Sequence, residues 1–402
     1  MRILLVTQYF DPENFKSNDI AFELAKRGHK VDVLVGIPNY PQGKYYKGYG
    51  LFSRRKEKKD GVTIYRVFQT PRGAKASALG LALNYVTYAV NATLWVLFFL
   101  VFKKKYDACI VFQVSPVTQV IPAVVLKKLR DTPVYTWVLD VWPDSFISSL
   151  PKGKIGIAGK LATSLSEWAY RNSDKLLVTS PGMMPLLCRK QDYSDKLILF
   201  HNWCDDILEM PTEEVEPFGD KFIIMMAGSI NDGIGIPYLL PVIEKYKDNN
   251  QIHFVFVGGG PKEQDFRNLV KEKGLDNVTF TGQVPFSKIP SYYQKADVML
   301  LSLKKTDLPH LKATIPGRLQ SYMSAGKPVL AMIDEGAREL IETADCGFCV
   351  KAGDSDGLAR VIDEVTNMSS EVLQEKGNNG RRYFEKHFTK EQSINKLETI
   401  IS

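Results

Sequence analysis

The sequence predicts an α/β protein made of two doubly wound domains, and three observations carry that prediction. The 402-residue chain is too long for one ordinary hydrophobic core and suits two domains of about 200 residues each. Apolar runs of strand length alternate with amphipathic stretches of helix length through the first half. The same alternation restarts after an acidic, aperiodic, Pro-containing segment, DDILEMPTEEVEPFGD (residues 205–220), which reads as a linker.

Taken in order, Arg2 to Gln8 is a nearly continuous apolar run, as expected of a strand buried on both faces of a parallel sheet. A polar loop, YFDPENFKSND, leads to the helix IAFELAKRG, which Gly28 closes, and the strand HKVDVLVG follows at once. This is a βαβ unit. Strands are predicted next at VTIYRVF, YDACIVFQ, PVYTWVLD and KLLVTS, with a short one in residues 197–203. Beyond the linker come strands at KFIIMMAGS, HFVFVGGG, NVTFTG, DVMLLSL, KPVLAMI and GFCVKAG, with helices between them and a charged helical end. The expected division is residues 1–205, residues 206–385 and a C-terminal helix, 386–402. Two such Rossmann-like halves form a cleft between their strand carboxyl ends, where ligands are expected.

Composition bounds the function. Hydrophobic residues make up 45% and charged residues 24%, which is ordinary for a folded protein. The net charge of +7 fits a handler of phosphate-bearing ligands or a protein resting on an anionic bilayer. No arginine-rich helix, zinc spacing or aromatic RNA platform is visible, so nucleic acid is not an expected partner. Five scattered cysteines argue for a reducing compartment, and the pair Cys346 and Cys349 reads as small residues at a strand entry. MRILLVTQYFDPE reads as a first strand, not a signal peptide, so a cytoplasmic location is expected.

Residues 78–102 (ALGLALNYVTYAVNATLWVLFFLVF) are the most apolar stretch, and Lys103, Lys104 and Lys105 follow directly. The length reaches that of a spanning helix, but Asn84, Tyr85, Thr87, Tyr88, Asn91 and Thr93 interrupt it, and a span would split the first sheet across a bilayer. A helix lying in the membrane interface is the expectation; a buried core helix and a true span are the alternatives. A second basic run, Arg54, Arg55, Lys56, Lys58 and Lys59, is either a solvated face or a further membrane contact.

Several segments could carry chemistry. In FVFVGGGPK a strand runs into glycines, so Gly258, Gly259, Gly260 and Lys262 are candidates to border a nucleotide. AGSINDG repeats that logic with Gly228, Ser229 and Asn231, although a tight βα turn explains its glycines equally. In TIPGRLQSYMSAGKPVLA, Pro316 and Gly317 mark a helix start and place Arg318 in the first turn, where a guanidinium can grip two phosphate oxygens. In TWVLDVWPDS, Asp140 and Asp144 stand at a strand carboxyl end, suited to accepting or orienting a sugar hydroxyl proton; for Asp144 the favoured reading is a helix cap. Trp142 either stacks on a sugar or packs. In the opening loop Asn14, Lys16, Ser17 and Asn18 are candidates to border a sugar diphosphate, with Asn18 or Asp19 as an alternative N-cap.

QYFDPENFKSNDIAFELAKRGHKVDVLVGIPNYPQGKYYKGY, LDVWPDS, HNWCD, HFVFVGGGPK, VTFTGQVP and PGRLQSYMSAGKPVLA, in this order and over nearly the whole chain, resemble family 4 glycosyltransferases of bacterial surface-polysaccharide assembly. PNYPQGKYYKGY together with DVWPDS is similar to the subgroup of N-acetylfucosaminyl and related aminosugar transferases of O-antigen and capsule assembly. The resemblance implies a GT-B fold, a UDP-sugar donor held mainly by the C-terminal domain, and retention of anomeric configuration. It implies that Gly258 to Lys262 and the turn Gly282–Gln283–Val284 border the nucleotide. It also implies that Gly228 to Asn231, Arg318 and Leu319 lie near the diphosphate, and that the C-terminal helix returns to the N-terminal domain. Relatives carry two glutamates eight apart; the matching positions here are Ala313 and Ser321. Relatives also carry Arg and Lys where this chain has Ser229 and Ile234, which leaves the cationic contact mainly to Arg318, with Lys16 or Lys312.

The expected reaction is sugar transfer from a UDP-sugar to a polyprenyl-diphosphate-linked acceptor at the inner face of a membrane, with Asp140 and Arg318 as the catalytic candidates. No D-x-D motif falls in a suitable strand-end loop, so neither a metal nor a further cofactor is expected. A UDP-sugar epimerase and a non-catalytic nucleotide-binding membrane scaffold are the alternatives. An oxidoreductase is disfavoured because FDPENFKSN, not G-x-G-x-x-G, follows the first strand.

Overall fold

A computed structural model describes residues 1–73, 77–148 and 156–402. The apolar runs form two sheets, one in each of two units: Met1–Thr179, Met183–Phe200 and Ile394–Ser402 make the first, Ser180–Gly182 and His201–Ser393 the second.

In the first unit the strands are β1 (Arg2–Val6), β2 (Lys30–Gly36), β3 (Lys56–Lys59), β4 (Val62–Val67), β5 (Ala108–Gln113), β6 (Val134–Val138), β7 (Lys175–Val178) and β8 (Leu197–Leu199). They lie in the order β3-β4-β2-β1-β5-β6-β7-β8, parallel except for β3. The order reverses between β1 and β5, which puts the loops after those two strands side by side. The helices are α1 (Lys16–Lys26), α2 (Ala78–Phe98), α3 (Val120–Arg130), α4 (Asp144–Ile147), α5 (Gly156–Asn172) and α6 (Met183–Leu187). Part of the second basic run forms a strand. Lys56–Lys59 pairs antiparallel with β4 through a turn at Asp60 and Gly61, both at positive φ, so its lysines guard an edge strand.

The helix α2 and the 3-10 turn after it reach a mean hydropathy of 1.8 over Ala78–Phe102, long and apolar enough to cross a membrane. Its two faces differ. Leu79, Leu83, Val86, Val90, Leu94, Leu97 and Phe98 are exposed, while Asn84, Tyr88, Ala89, Ala92 and Val96 are buried. The Tyr88 hydroxyl lies 2.8 Å from the Thr7 carbonyl and 3.2 Å from that of Leu34. Asn84 donates to the Thr70 carbonyl at 2.6 Å and accepts from Gln8 at 2.7 Å. One face of α2 is therefore committed to the carboxyl ends of β1 and β2.

In the second unit the strands are β9 (Phe222–Ala227), β10 (Ile252–Val257), β11 (Val278–Gly282), β12 (Val298–Ser302), β13 (Val329–Met332) and β14 (Gly347–Val350), in the parallel order β11-β10-β9-β12-β13-β14. The helices are α7 (Ile236–Lys245), α8 (Glu263–Glu272), α9 (Ile289–Lys295), α10 (Pro309–Lys312), α11 (Gly317–Ser324), α12 (Glu335–Ala344), α13 (Ser355–Val365), α14 (Ser370–His387) and α15 (Lys390–Ile401). Alternate strand residues feed two cores. Ile224, Met226, Phe254, Phe256 and Leu300 pack on one face, and Ile223, Met225, Val255, Val257 and Leu301 on the other. Each such side chain contributes about 1.5–3 kcal/mol by leaving water. This sheet reverses order between β9 and β12.

The segment read as a linker is partly anchored. Ile207 is buried in the second core, and the Arg381 guanidinium grips the Asp206 carboxylate, with Nη2 to Oδ2 at 2.6 Å. The helical end is two helices, α14 and α15, and the residues from Ile394 onward belong to the first unit. Cys346 and Cys349 carry free thiols that burial pushes up to about 12, which suits packing and not redox chemistry.

Candidate active site

In the second unit the candidates gather at the order reversal. Gly228, at φ +125°, ends β9, and a Cβ there would meet the Arg318 guanidinium at 3.4 Å. The loop after β10 lies against the loop after β9, backbone to backbone. A Cβ on Gly258 would stand 2.5 Å from the Gly228 carbonyl oxygen, and one on Gly260 2.2 Å from that of Ile230. The Ile230 N–H donates to Gly259 at 3.0 Å, and the Lys262 N–H to Ile230 at 3.0 Å. Glycine is required at these two positions because any side chain would push the loops apart.

Arg318 is the second residue of α11, whose N-cap is Pro316. Its Nη2 donates to the Ser229 carbonyl at 3.0 Å, and its Nη1 is buried without a partner. No carboxylate pairs with it among the described residues. A buried guanidinium nitrogen without an acceptor, beside exposed Gly228 and Ser229, is an anion site in waiting. Lys304 was not predicted. It lies two residues past β12, is exposed, and its N–H donates to the Gly233 carbonyl at 2.7 Å, which ties a lysine's backbone to the turn after β9. The predicted strand DVMLLSL ends one residue earlier, so the strand-end rule already pointed there.

Other predicted residues have different parts. The Asn231 carboxamide accepts from the Gly233 N–H at 2.8 Å and caps a 3-10 turn. Lys262 is half spent: its ammonium sits 2.9 Å from Asp265. Val284 packs against the second core. Gly317 is open, and the Ser321 hydroxyl lies 3.1 Å from that of Tyr293. Leu319 is corrected. Its side chain is wholly buried in the core and its N–H is spent on Pro316, because it falls on the inward face of α11. Ala313 is buried, and its carbonyl oxygen lies 2.6 Å from where a Cβ on Gly336 would stand, so residue 336 is held to glycine beside it.

In the first unit Asp140 follows β6. Its Oδ2 accepts from the Ser115 N–H at 2.9 Å and from the Ser115 hydroxyl at 2.7 Å. Trp142 donates from Nε1 to that hydroxyl at 3.0 Å and stacks on Phe146 at 5.2 Å, so one oxygen of Asp140 is fixed by a short relay. Asp144 is not a cap; it opens α4 and pairs with Arg189 at 2.9 Å. Asn14 is exposed, and Lys16 opens α1, 3.6 Å from Asp19. Ser17 turns inward to the Tyr9 carbonyl at 3.1 Å, and Asn18 ties the loop through Asp11 and Glu13, so neither Asn18 nor Asp19 caps the helix that starts after Phe15.

Glu13 had no role in the sequence reading. It is buried and accepts three backbone N–H groups, from Asn39 at 2.7 Å, Tyr40 at 2.6 Å and Phe10 at 3.3 Å. Burial outweighs those donors and pushes its carboxyl up to about 7. A lone acid in a polar loop has no periodicity to betray it.

Two family models divide the chain between them. "Glycosyl transferase 4-like domain" matches residues 17–203, and "Glycosyl transferases group 1" matches residues 212–383. The chain is 24% identical over 295 residues to a probable glycosyltransferase, WbjE, of Pseudomonas aeruginosa, a match spanning 70% of this chain and 72% of that protein. It is 24% identical over 242 residues to O-antigen chain mannosyltransferase C of Escherichia coli, spanning 58% and 62% of the two chains. Among solved structures it is similar to Anabaena HepE in complex with UDP, with a TM-score of 0.67 at 15% identity over 100% of this chain and 99% of that one.

Proposed function

The chain is a glycosyltransferase of the GT-B fold, and on that premise we propose that it moves an N-acetylated aminosugar, such as N-acetylfucosamine, from a UDP-sugar to a polyprenyl-diphosphate-linked saccharide, with retention, in O-antigen or capsule synthesis. The observation that carries the reading is the Arg318 guanidinium, with a buried unpaired nitrogen beside Gly228 and Ser229 and, among the described residues, no carboxylate to neutralise it. Fixed positive charge at that point favours the leaving diphosphate as it gains negative charge. The UDP bound by HepE supports a nucleotide-sugar donor, and the O-antigen relative supports a polysaccharide role.

In the proposed step the bond from the sugar C1 to the β-phosphate oxygen breaks while C1 bonds to the acceptor oxygen on the same face. The acceptor proton passes to the leaving phosphate oxygen. Asp140, one oxygen of which is fixed by Ser115, orients the acceptor hydroxyl. The outward stripe of α2 and the lysines after it rest on the inner face of the cell membrane.

The test is a donor panel of UDP-N-acetylhexosamines, UDP-glucose and GDP-mannose, incubated with and without a polyprenyl-diphosphate monosaccharide and followed by mass spectrometry. Mass gain of one aminosugar on the lipid, only with a UDP donor, is expected. Turnover of the UDP-sugar to an isomer without acceptor would make the protein an epimerase, binding without turnover a scaffold, and transfer from GDP-mannose alone a mannosyltransferase.

A further inference from the structure

A second cation, Arg72, lacks an acid partner among the described residues, and it lies in the first unit ahead of α2. Arg72 is half-buried, and its guanidinium carbon stands 5.7 Å from the Tyr9 ring centroid, 5.3 Å from that of Tyr40 and 6.0 Å from that of Tyr85. Its Nη2 donates to the Tyr85 hydroxyl at 3.2 Å, and its Nε is buried without a partner. No carboxylate pairs with it among the described residues. Three rings stabilise a guanidinium without neutralising it, and leave its donors for an anion.

The frame is rigid. Tyr9 stacks on Phe15 at 5.2 Å, the Tyr40 N–H is held by Glu13 at 2.6 Å, and the Arg72 N–H donates to Asn39 at 3.2 Å. Gly80, in the first turn of α2, admits the Arg72 carbonyl, which a Cβ there would meet at 2.7 Å. Arg72 is thus pinned to the helix whose outward side is Leu79, Leu83, Val86 and Val90. Tyr85 is half-buried, on the flank between that stripe and the buried face. A helix lying in the interface sinks its apolar side about 5–10 Å, which sets its flanks at the depth of lipid phosphates.

We propose that Arg72, framed by Tyr9, Tyr40 and Tyr85, binds the diphosphate of the acceptor lipid at the membrane surface. This rests on the lipid-linked acceptor proposed above. The guanidinium grips phosphate oxygens while the lipid tail runs along the exposed side of α2. Phosphate chemistry alone does not separate the lipid from free pyrophosphate, so the experiment has an arm for each.

The full chain is floated with phosphatidylcholine vesicles, plain or doped with undecaprenyl diphosphate, with phosphatidylglycerol vesicles, and in competition with inorganic pyrophosphate. Doped vesicles are expected to bind more tightly than plain ones. Arg72→Ala should remove about tenfold of that gain and leave phosphatidylglycerol binding intact. Tyr85→Phe, which deletes only the bracing hydroxyl, should remove a smaller part and keeps the test open if the alanine variant misfolds. The full wild-type gain in both folded variants overturns the role of Arg72 and leaves the acceptor reading standing. No gain in the wild type sinks both. Displacement by pyrophosphate at concentrations matching the doped lipid overturns the lipid assignment.

Discussion

At Arg318 the consequence of an unneutralised charge is kinetic. Arg318→Ala should lower turnover at least tenfold, about 1.4 kcal/mol of transition-state stabilisation, with the melting temperature nearly unchanged; unaltered turnover in a steady-state assay would remove it from the mechanism. Glu13 makes a thermodynamic prediction. Its folded-state pKa, about 7, lies above the ordinary 4.5, so the folded chain holds a proton that the unfolded chain releases. The resulting stability is complete below pH 4.5 and is lost as pH rises through 7, at no more than about 1.4 kcal/mol per pH unit. Glu13→Gln cannot titrate, so denaturant melts between pH 5 and 8 should show a flatter dependence than the wild type; an equal slope would assign the effect elsewhere. Arg318 was legible because helix-start chemistry fixes its turn. Leu319 entered only through the resemblance, and its side chain faces the core of the second unit. Arg72 was invisible, since its meaning comes from three tyrosines that are 63, 32 and 13 positions away in the chain.

Among the elements, α2 is where sequence pattern and structure separate most usefully. Hydropathy alone left span, interface and core open. The buried hydrogen bonds of Tyr88 and Asn84 tie one face to strand-end carbonyls, and a crossing would carry that polar cluster into hydrocarbon. The double variant Val86→Asp, Val90→Asp alters only the outward stripe. It should weaken flotation with anionic vesicles by tenfold or more while leaving the melt within about 0.5 kcal/mol of the wild type. Flotation at the wild-type level would mean that the stripe does not meet lipid. The strand β3 teaches the converse. Its four charged residues, KEKK, carry no apolar alternation, and only the Asp60–Gly61 turn identifies it as the returning arm of a hairpin.

For the whole molecule, the alternation of apolar runs made two parallel-sheet units legible; every predicted strand is present, and β3 alone was not foreseen. The order of strands was not, because hydrogen-bond partners in a parallel sheet lie tens of residues apart and leave no local mark. The two order reversals, between β1 and β5 and between β9 and β12, were therefore the missing knowledge that turned scattered candidate residues into sites. One further feature reaches beyond the finished fold. Ile394, Leu397 and Ile401 are buried in the first unit, where Glu398 meets Arg27 and lies 2.7 Å from the His29 ring. During synthesis the first sheet leaves the ribosome long before these residues exist. The nascent first unit must wait, with an apolar seat uncovered beside α1, while the whole second unit is translated. Its last packing step thus follows the synthesis of the second unit.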